Sequence, residues 1–259
     1  MKQRIITAVV ALLALLLVLF YLPGEVALAV IVAVMLAGAW EWSAFLGVPG
    51  KTARIAYVVI IAGLLAAVTI FEVDAAIIFK VSLAWWILAL VWTFFFPTPI
   101  PGFVRWLSGM LVLVPLFLAL VILYNAAPEL LLFALLIVWV ADTGAYFAGK
   151  ALGRVKLAPA ISPGKTWEGV IGGLLAVVVL TVLRSTWADT DLAVFIPFCL
   201  AVASISIVGD LTVSMFKRTA GLKDSGSLFP GHGGVLDRID SVAAAAPLFA
   251  LGLGWVGLN

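Results

Sequence analysis

Residues 192–216 read LAVFIPFCLAVASISIVGDLTVSMF, and residues 217–240 continue as KRTAGLKDSGSLFPGHGGVLDRID. A helix needs about 20 apolar residues to cross a bilayer, and the first stretch is longer than that. It nevertheless contains a carboxylate, Asp210. The second stretch holds seven charged residues and the only histidine of the chain, His232. The pair of stretches predicts a membrane helix that leads directly into a chemically specialised polar segment.

The composition of the whole chain indicates a membrane protein. Its 259 residues are 65% hydrophobic and 11% charged, whereas soluble domains carry about 25% charged residues. A net charge of +2 and the lack of a long basic run argue against nucleic-acid binding. The single cysteine, Cys199, excludes an intramolecular disulfide and is expected to be a small buried hydrophobe.

The apolar runs predict an all-α polytopic membrane protein with about nine transmembrane helices. We divide it into an N-terminal region of about five spans, 1–127, and a C-terminal region, 128–259, expected to carry the active site. The second region contains two long connections, 149–167 and 217–238. The predicted spans are 5–22, 26–46, 54–71, 76–96, 106–124, 129–148, 168–187, 192–216 and 239–257.

The placement of lysine and arginine orients these spans. With a cytoplasmic N-terminus, 13 of the 15 basic residues lie on the cytoplasmic side, and only Lys80 and Arg184 lie on the other. Basic residues accumulate on the cytoplasmic side of membrane proteins. We therefore expect a cytoplasmic N-terminus, a non-cytoplasmic C-terminus and an active site that faces the cytoplasm, in the cytoplasmic membrane of a bacterial cell.

The N-terminus also has features of a signal peptide. Lys2 and Arg4 precede an apolar run, and Ala27-Leu28-Ala29 has the spacing of a cleavage site. Pro23-Gly24-Glu25 separates that site from the apolar run, and the site itself lies within the next run. We expect the first helix to be retained.

Carboxylates on three predicted helices lie at one depth. At 1.5 Å per residue, Asp142 and Asp210 lie about 20–27 Å from the outer surface, just beneath the cytoplasmic interface. Asp237 and Asp240 are three residues apart and share a face at the start of the last helix. A carboxylate within a membrane helix is costly unless it is paired or binds metal. Asp210 is therefore either a metal ligand or part of a structural ion pair.

The polar segment combines the groups that bind metal and phosphate. Asp210, Asp237 and Asp240 could hold Mg²⁺, which favours one or two carboxylates together with substrate phosphates. The number of carboxylates also leaves room for a second cation. The glycine-rich run at 230–234 allows backbone N–H groups to approach a phosphate. Within it, His232 is either a phosphate donor, a proton carrier or a structural residue of the turn.

The connection at 149–167 has two interpretations. Ser162, Lys165 and Thr166 offer hydroxyl and ammonium donors ahead of a helix that starts near Glu168, where anions bind favourably. The alternative is an ordinary helix cap made by Lys165 or Thr166 with Glu168 or Gly169. A P-loop is rejected because its first glycine would fall at Pro159 and because no strand is predicted before it.

Residues 214–240 resemble the signature of the CDP-diacylglycerol synthase, or phosphatidate cytidylyltransferase, family. The signature requires S-x-hydrophobic-K-R, then K-D, then P-x-H-G-G and finally D-R-hydrophobic-D, and this sequence has every specified residue. The runs 142–146 and 162–169 also resemble the family. Residues 1–130 resemble it only as generic membrane helices.

The resemblance implies transfer of CMP from CTP to phosphatidic acid, which gives CDP-diacylglycerol and pyrophosphate, with Mg²⁺ as cofactor and a lipid bilayer as the setting. The catalytic residues that it implies are Asp210, Asp237, Asp240, Lys217 and Arg218. The substrate-binding residues that it implies are Asp142, Ser162, Lys165, Thr166, Glu168, Lys223, Asp224, His232, Gly233, Gly234 and Arg238.

Two other functional classes are compatible with intramembrane carboxylates. An ion-coupled transporter is disfavoured because its charges would be spread across the bilayer midplane, whereas here they collect on one side. Another CTP-dependent lipid enzyme, such as a polyprenol kinase or an ether-lipid cytidylyltransferase, would need a substrate screen to distinguish. The sequence leaves monomer and homodimer both open.

Overall fold

The computed structural model describes residues 2–48, 50–186, 190–228 and 233–257, with side chains from residue 6 onward. These residues form nine α-helices and a two-stranded sheet. The helices are α1 Lys2–Phe20, α2 Gly24–Trp42, α3 Lys51–Ile70, α4 Ala75–Phe94, α5 Gly102–Ala126, α6 Pro128–Leu152, α7 Trp167–Ser185, α8 Leu192–Thr219 and α9 Leu236–Gly252. The strands are β1 Lys156–Ala158 and β2 Ser162–Thr166, and 3₁₀ turns follow α2 and α9 at Ser43–Leu46 and Leu253–Trp255.

The predicted fold class is confirmed. Each predicted span corresponds to one of the α-helices of the described residues, with ends that differ by a few residues. Helices α2 to α8 are long and apolar enough to cross a membrane by length and composition. The apolar part of α1, Ile6–Phe20, is shorter, and α9 has only 17 residues.

The connection between α6 and α7 contains structure that the sequence did not predict. Strands β1 and β2 pair antiparallel, with Lys156 opposite Thr166 and Ala158 opposite Ser162. Pro159 and Pro163 hide this hairpin from a sequence pattern because proline is disfavoured within strands. A strand, β1, therefore does lie before the P-loop-like run, contrary to the sequence prediction, although Pro159 still occupies the position of the first P-loop glycine.

The exterior of several helices is apolar. Large hydrophobic side chains such as Ile6, Val59, Leu88 and Leu175, on α1, α3, α4 and α7, are more than half exposed. A water-soluble protein rarely exposes apolar surface on this scale. These faces are the ones that lipid would cover, which makes the chain a multi-pass membrane protein.

Helix α9 lies at the centre of the molecule. It contacts α2, α4, α5, α6 and α8, and its run Ala243–Ala246 is buried. A helix of small residues allows the surrounding helices to approach closely. The first turn of α9, with its carboxylates, is thereby held between the two predicted regions of the chain; the boundary at 127/128 itself stays a prediction.

Small residues also join α6 to α7. A Cβ added to Gly172 would overlap the Cβ of Ala148, and one on Gly173 would lie 2.5 Å from the carbonyl oxygen of Ala141. The two helices therefore pack backbone against backbone. This contact fixes Asp142 of α6 relative to the start of α7 and the end of the hairpin.

Candidate active site

One ion pair joins the hairpin to α8. Lys165 Nζ of β2 lies 2.6 Å from Asp210 Oδ2, and about a quarter of each side chain is exposed. The hydroxyl of Ser214, one helical turn after Asp210, donates to Asp210 Oδ1 at 3.1 Å. Asp210 is therefore part of an ion pair, as one of its two interpretations proposed, although its partner comes from a strand.

A second ion pair joins the end of α8 to the start of α9. Lys217 Nζ lies 2.7 Å from Asp237 Oδ1 and 4.0 Å from Asp240 Oδ2, and all three side chains are almost fully buried. The other oxygen of Asp237 accepts from the backbone N–H groups of Ser225 at 2.9 Å and Gly234 at 3.0 Å. One buried ammonium group thus lies between two carboxylates of α9.

The two ion pairs adjoin each other. A Cβ on Gly209 would lie 2.5 Å from the carbonyl oxygen of Asp240, so only glycine allows α8 and α9 this close approach. Asp210 and Asp240 consequently lie within electrostatic range of each other, and Asp142 lies within range of Asp210, Lys165 and Arg238. The structure brings together the carboxylates of α6, α8 and the start of α9.

The carboxylates have the chemistry of a site for a hard cation. Within the described part of the chain, no three His, Cys, Asp or Glu side chains form a group that could hold a metal by themselves. Mg²⁺ does not require such a group, because it is usually bound by one or two carboxylates with water and substrate phosphates. Asp210 and Asp240, on facing positions of α8 and α9, fit that requirement.

The other predicted site residues differ in their exposure and contacts. Arg218 is exposed, and its Nε donates to the carbonyl of Ile161 at 3.2 Å, which ties the end of α8 to the hairpin. Lys223, Asp224 and Arg238 are exposed to solvent. Ser162, at the start of β2, is half-buried.

Two predicted substrate contacts already have structural partners. Thr166 is buried, and its hydroxyl accepts from the backbone N–H of Gly169 at 3.1 Å, so it caps α7. Both carboxylate oxygens of Glu168 accept from the N–H of Val155, at 3.1 and 3.3 Å. Thr166 makes the cap that was the alternative interpretation of this segment.

Part of the glycine-rich run lies outside the described residues. His232 belongs to that part, together with the three residues before it. Gly233 has a positive φ of 81°, a backbone conformation that glycine adopts easily. The N–H of Gly234 donates to Asp237, so its present partner is a carboxylate of the same segment.

A comparison with known protein families identifies the family of the chain. A family model described as "Cytidylyltransferase family" matches residues 2–255, which is nearly the whole chain. The chain belongs to the cytidylyltransferase family.

Curated relatives agree with this assignment over the full length. A protein of Pseudomonas aeruginosa named phosphatidate cytidylyltransferase is 44% identical over 267 residues, which cover 98% of this chain and 98% of the relative. One of Haemophilus influenzae with the same name is 38% identical over 282 residues, 96% of this chain and 97% of the relative. A shorter match, 46% identical over 46% of each chain, is to the phosphatidate cytidylyltransferase of Staphylococcus haemolyticus.

An apolar groove in this cytidylyltransferase-family chain is lined by parts of the hairpin and of α8, the two elements that carry the Lys165–Asp210 ion pair. Its volume is about 730 Å³, and it lies between α4, the hairpin, α7 and α8. Leu211, next to Asp210, and Ile161, whose carbonyl binds Arg218, both contribute to its wall. Other lining residues include Leu90, Phe94, Trp167, Leu174, Ala201 and Val208.

Sequence reasoning missed one residue that contacts the signature segment, which we define as residues 214–240. Glu41, near the end of α2, is 6% exposed and accepts hydrogen bonds from Ser225, Val235 and Leu236. The available signal was a carboxylate between two tryptophans in an apolar helix, on the side predicted to be cytoplasmic. Nothing in the pattern linked it to a segment almost 200 positions away.

Proposed function

We propose that the chain transfers CMP from CTP to phosphatidic acid and so makes CDP-diacylglycerol and pyrophosphate. The observation that carries this proposal is the pair of adjoining ion pairs, Lys165–Asp210 and Lys217–Asp237, beside an apolar groove. Charged groups of both signs suit nucleotide phosphates and their metal, while the groove suits acyl chains. The names of the full-length relatives support the same reaction.

The reaction requires positioning and charge neutralisation more than proton transfer. An oxygen of the lipid phosphate attacks the α-phosphorus of CTP and forms a new P–O bond. The bond between the α-phosphorus and the oxygen that bridges to the β-phosphorus breaks, and pyrophosphate leaves with that electron pair. A phosphate monoester is already ionised near pH 7. Lys165, Lys217 and Arg218 would stabilise the negative charge on the phosphates.

We propose Mg²⁺ as the cofactor, with room for a second cation. Asp210, Asp237 and Asp240 would hold it, and when bound it would neutralise charge on the nucleotide phosphates. Lys165 and Lys217 now neutralise the same carboxylates. Both lysines would then be free to contact phosphate oxygens once a cation occupies the carboxylates.

We propose that the site faces the cytoplasm from the cell membrane. The asymmetric distribution of Lys and Arg supports this orientation. CTP would enter from the cytoplasm, and phosphatidic acid would enter from the bilayer with its tails in the groove. The phosphate of the lipid would then lie at the level of the headgroups, near the end of α8 and the start of α9, where Lys217 pairs with Asp237.

The position of a radioactive label distinguishes this reaction from its closest rival. The purified full chain is incubated in detergent with phosphatidic acid, Mg²⁺ and CTP that carries ³²P at either the α- or the γ-position. Cytidylyl transfer moves only the α-label into lipid, whereas a lipid kinase moves only the γ-label. We expect α-label in the lipid, and none with Asp237→Asn.

The lipid acceptor is varied in the same assay. A polyprenol and an ether-lipid phosphate replace phosphatidic acid in parallel reactions. Preferential labelling of the ether lipid, transfer of the γ-label or the lack of any labelled lipid would each overturn the proposed reaction.

A further inference from the structure

Glu41 joins the N-terminal helices to the signature segment. Its Oε1 accepts from the N–H of Val235 at 2.9 Å. Its Oε2 accepts from the N–H of Leu236 at 2.7 Å and from the hydroxyl of Ser225 at 2.7 Å. Three neutral donors from 184 to 195 positions away along the chain thus converge on one buried carboxylate.

These bonds provide a cap that α9 cannot make for itself. The first N–H groups of any helix lack partners within the helix. The residue that precedes α9 is Val235, whose side chain forms no capping hydrogen bond. A carboxylate is also favourable at this end because the helix N-terminus is electrically positive. Glu41 of α2 therefore supplies the missing cap of α9.

Two glycines shape the space around this carboxylate. A Cβ added to Gly226 or to Gly234 would overlap the carboxylate of Glu41. The absence of side chains at these positions lets the segment close around Glu41 from two sides. The resulting contact is specific, since no larger residue at either position could keep it.

The contact extends to the ion pairs in one further step. Ser225 donates its hydroxyl to Glu41 and its backbone N–H to Asp237. Gly234, which packs on Glu41, also donates its N–H to Asp237. The groups that hold Asp237 against Lys217 are therefore themselves held by Glu41.

We propose that Glu41 is a positioning residue that sets the place of Asp237, and through it the affinity of the site for its divalent cation. This inference rests on the proposed function. Glutamine has the shape of glutamate but only one acceptor oxygen. In Glu41→Gln the side-chain NH₂ group must therefore face the backbone N–H of either Val235 or Leu236, and that hydrogen bond is lost. The segment then loses part of its anchor while α2 stays intact.

The test measures metal binding by two routes in the full chain. Thermal unfolding in detergent is followed while Mg²⁺ is titrated, and the concentration that gives half of the maximal stabilisation is recorded. The same midpoint is measured for CMP transfer. Loss of an outer-sphere partner of a metal ligand weakens metal affinity by about 10–100-fold. Glu41 acts on Asp237 through Ser225 and Gly234, so we expect the Glu41→Gln midpoint to rise by about tenfold, the lower end of that range.

Three variants make the result specific. Glu25→Gln changes an exposed carboxylate at the other end of α2 and should leave the midpoint unchanged. Ser225→Ala removes one donor and keeps Glu41, so it tests the network even if Glu41→Gln fails to fold. The double variant Glu41→Gln/Ser225→Ala should shift the midpoint by less than the sum of the two single shifts, because both substitutions act through Asp237.

If Glu41 only stabilised the fold, its loss would change the amount of folded protein and not its affinity for metal. Partial unfolding lowers the amplitude of activity but leaves the midpoint of the metal titration in place. An unchanged midpoint in both Glu41→Gln and Ser225→Ala would overturn the proposal.

A labelling experiment separates this proposal from the proposed reaction. Ser227→Cys places a thiol on the exposed part of the segment, and the native Cys199 is buried. Maleimide should label that thiol faster when Glu41→Gln is added, and an equal rate would count against the anchor. If the wild-type chain transfers no CMP, the reaction fails on its own while this rate still reports on Glu41.

Discussion

At the residue scale, Lys217 is the most constrained member of the site. Its ammonium group is almost fully buried and lies between Asp237 and Asp240. Removing one partner from a buried ion pair leaves an uncompensated charge, which costs about 3–5 kcal/mol. Lys217→Met should therefore lower the unfolding free energy by about 3 kcal/mol and abolish transfer. Thermal unfolding in detergent measures the loss, with the exposed Lys80→Met as control.

A second substitution tests whether the charge is the cause. Asp237→Asn in the Lys217→Met background removes one of the unpaired carboxylates. We expect recovery of most of the lost stability without recovery of activity. A double variant as unstable as Lys217→Met would mean that the lysine stabilises the helices through its aliphatic chain instead.

Asp210 gives the second prediction at this scale. Asp210→Asn keeps the shape of the side chain but removes the charge that pairs with Lys165, so transfer should fall at least about 100-fold. Asp191→Asn is a matched control on the same helix: Asp191 caps the other end of α8, and asparagine caps equally well. CMP transfer is measured over a range of Mg²⁺ concentrations. Full Mg²⁺-dependent activity in Asp210→Asn would exclude its role as a metal ligand.

The site residues differ in how far the sequence alone could identify them. Asp210 stands out because carboxylates are rare within apolar helices, and Asp237 stands out because it belongs to the signature at 214–240. Lys165 and Lys217 were also candidates, but their pairing with these carboxylates could not be predicted, since the contact of Lys165 with Asp210 depends on how the hairpin folds over α8. Glu41 was visible as an unusual residue, but its role depends on a contact between distant parts of the chain.

At the element scale, the contact between α6 and α7 holds Asp142 beside the hairpin. Gly172→Ala would place a methyl group on the Cβ of Ala148, and overpacking of this kind costs about 1–3 kcal/mol. We expect a lower unfolding temperature for Gly172→Ala. Adding Ala148→Gly should restore it, because the second change removes the opposing methyl group.

The control for this prediction is another helical glycine. Nothing lies within 4 Å of a Cβ added to Gly63 in α3, so Gly63→Ala should not lower the unfolding temperature. Failure of Ala148→Gly to rescue Gly172→Ala would show that the close approach of the two backbones is not what limits stability.

Regular elements were predictable in proportion to their length. The helices follow from runs of about 20 apolar residues, which few other structures can accommodate. The hairpin did not, because β1 has three residues and β2 includes Pro163. Short strands are stabilised by their surroundings, here the start of α7 and the end of α8, and not by a pattern of their own.

At the scale of the whole molecule, the apolar groove between α4, the hairpin, α7 and α8 is the proposed site for the acyl chains of the lipid. Ala201 of α8 is exposed and lines the groove, so Ala201→Trp should obstruct it. We expect a higher KM for phosphatidic acid with long acyl chains and an unchanged KM for CTP. Val194→Trp changes an exposed residue of the same helix outside the groove and should leave both values unchanged. Equal effects on long- and short-chain lipids would contradict acyl binding there.

The orientation of the molecule in the membrane determines whether CTP from the cytoplasm can reach the site. The excess of Lys and Arg at one end of the helices predicts that the segment after α8 faces the cytoplasm, whereas the turn between α3 and α4 faces the opposite side. Ser227→Cys and Glu72→Cys place single exposed thiols at these two positions, with the native Cys199 buried. In intact bacterial cells, a membrane-impermeant maleimide should label Glu72→Cys alone, and in inside-out vesicles it should label Ser227→Cys alone. The reverse pattern would place the ion pairs on the side without CTP, and no cytidylyl transfer could then occur in the cell.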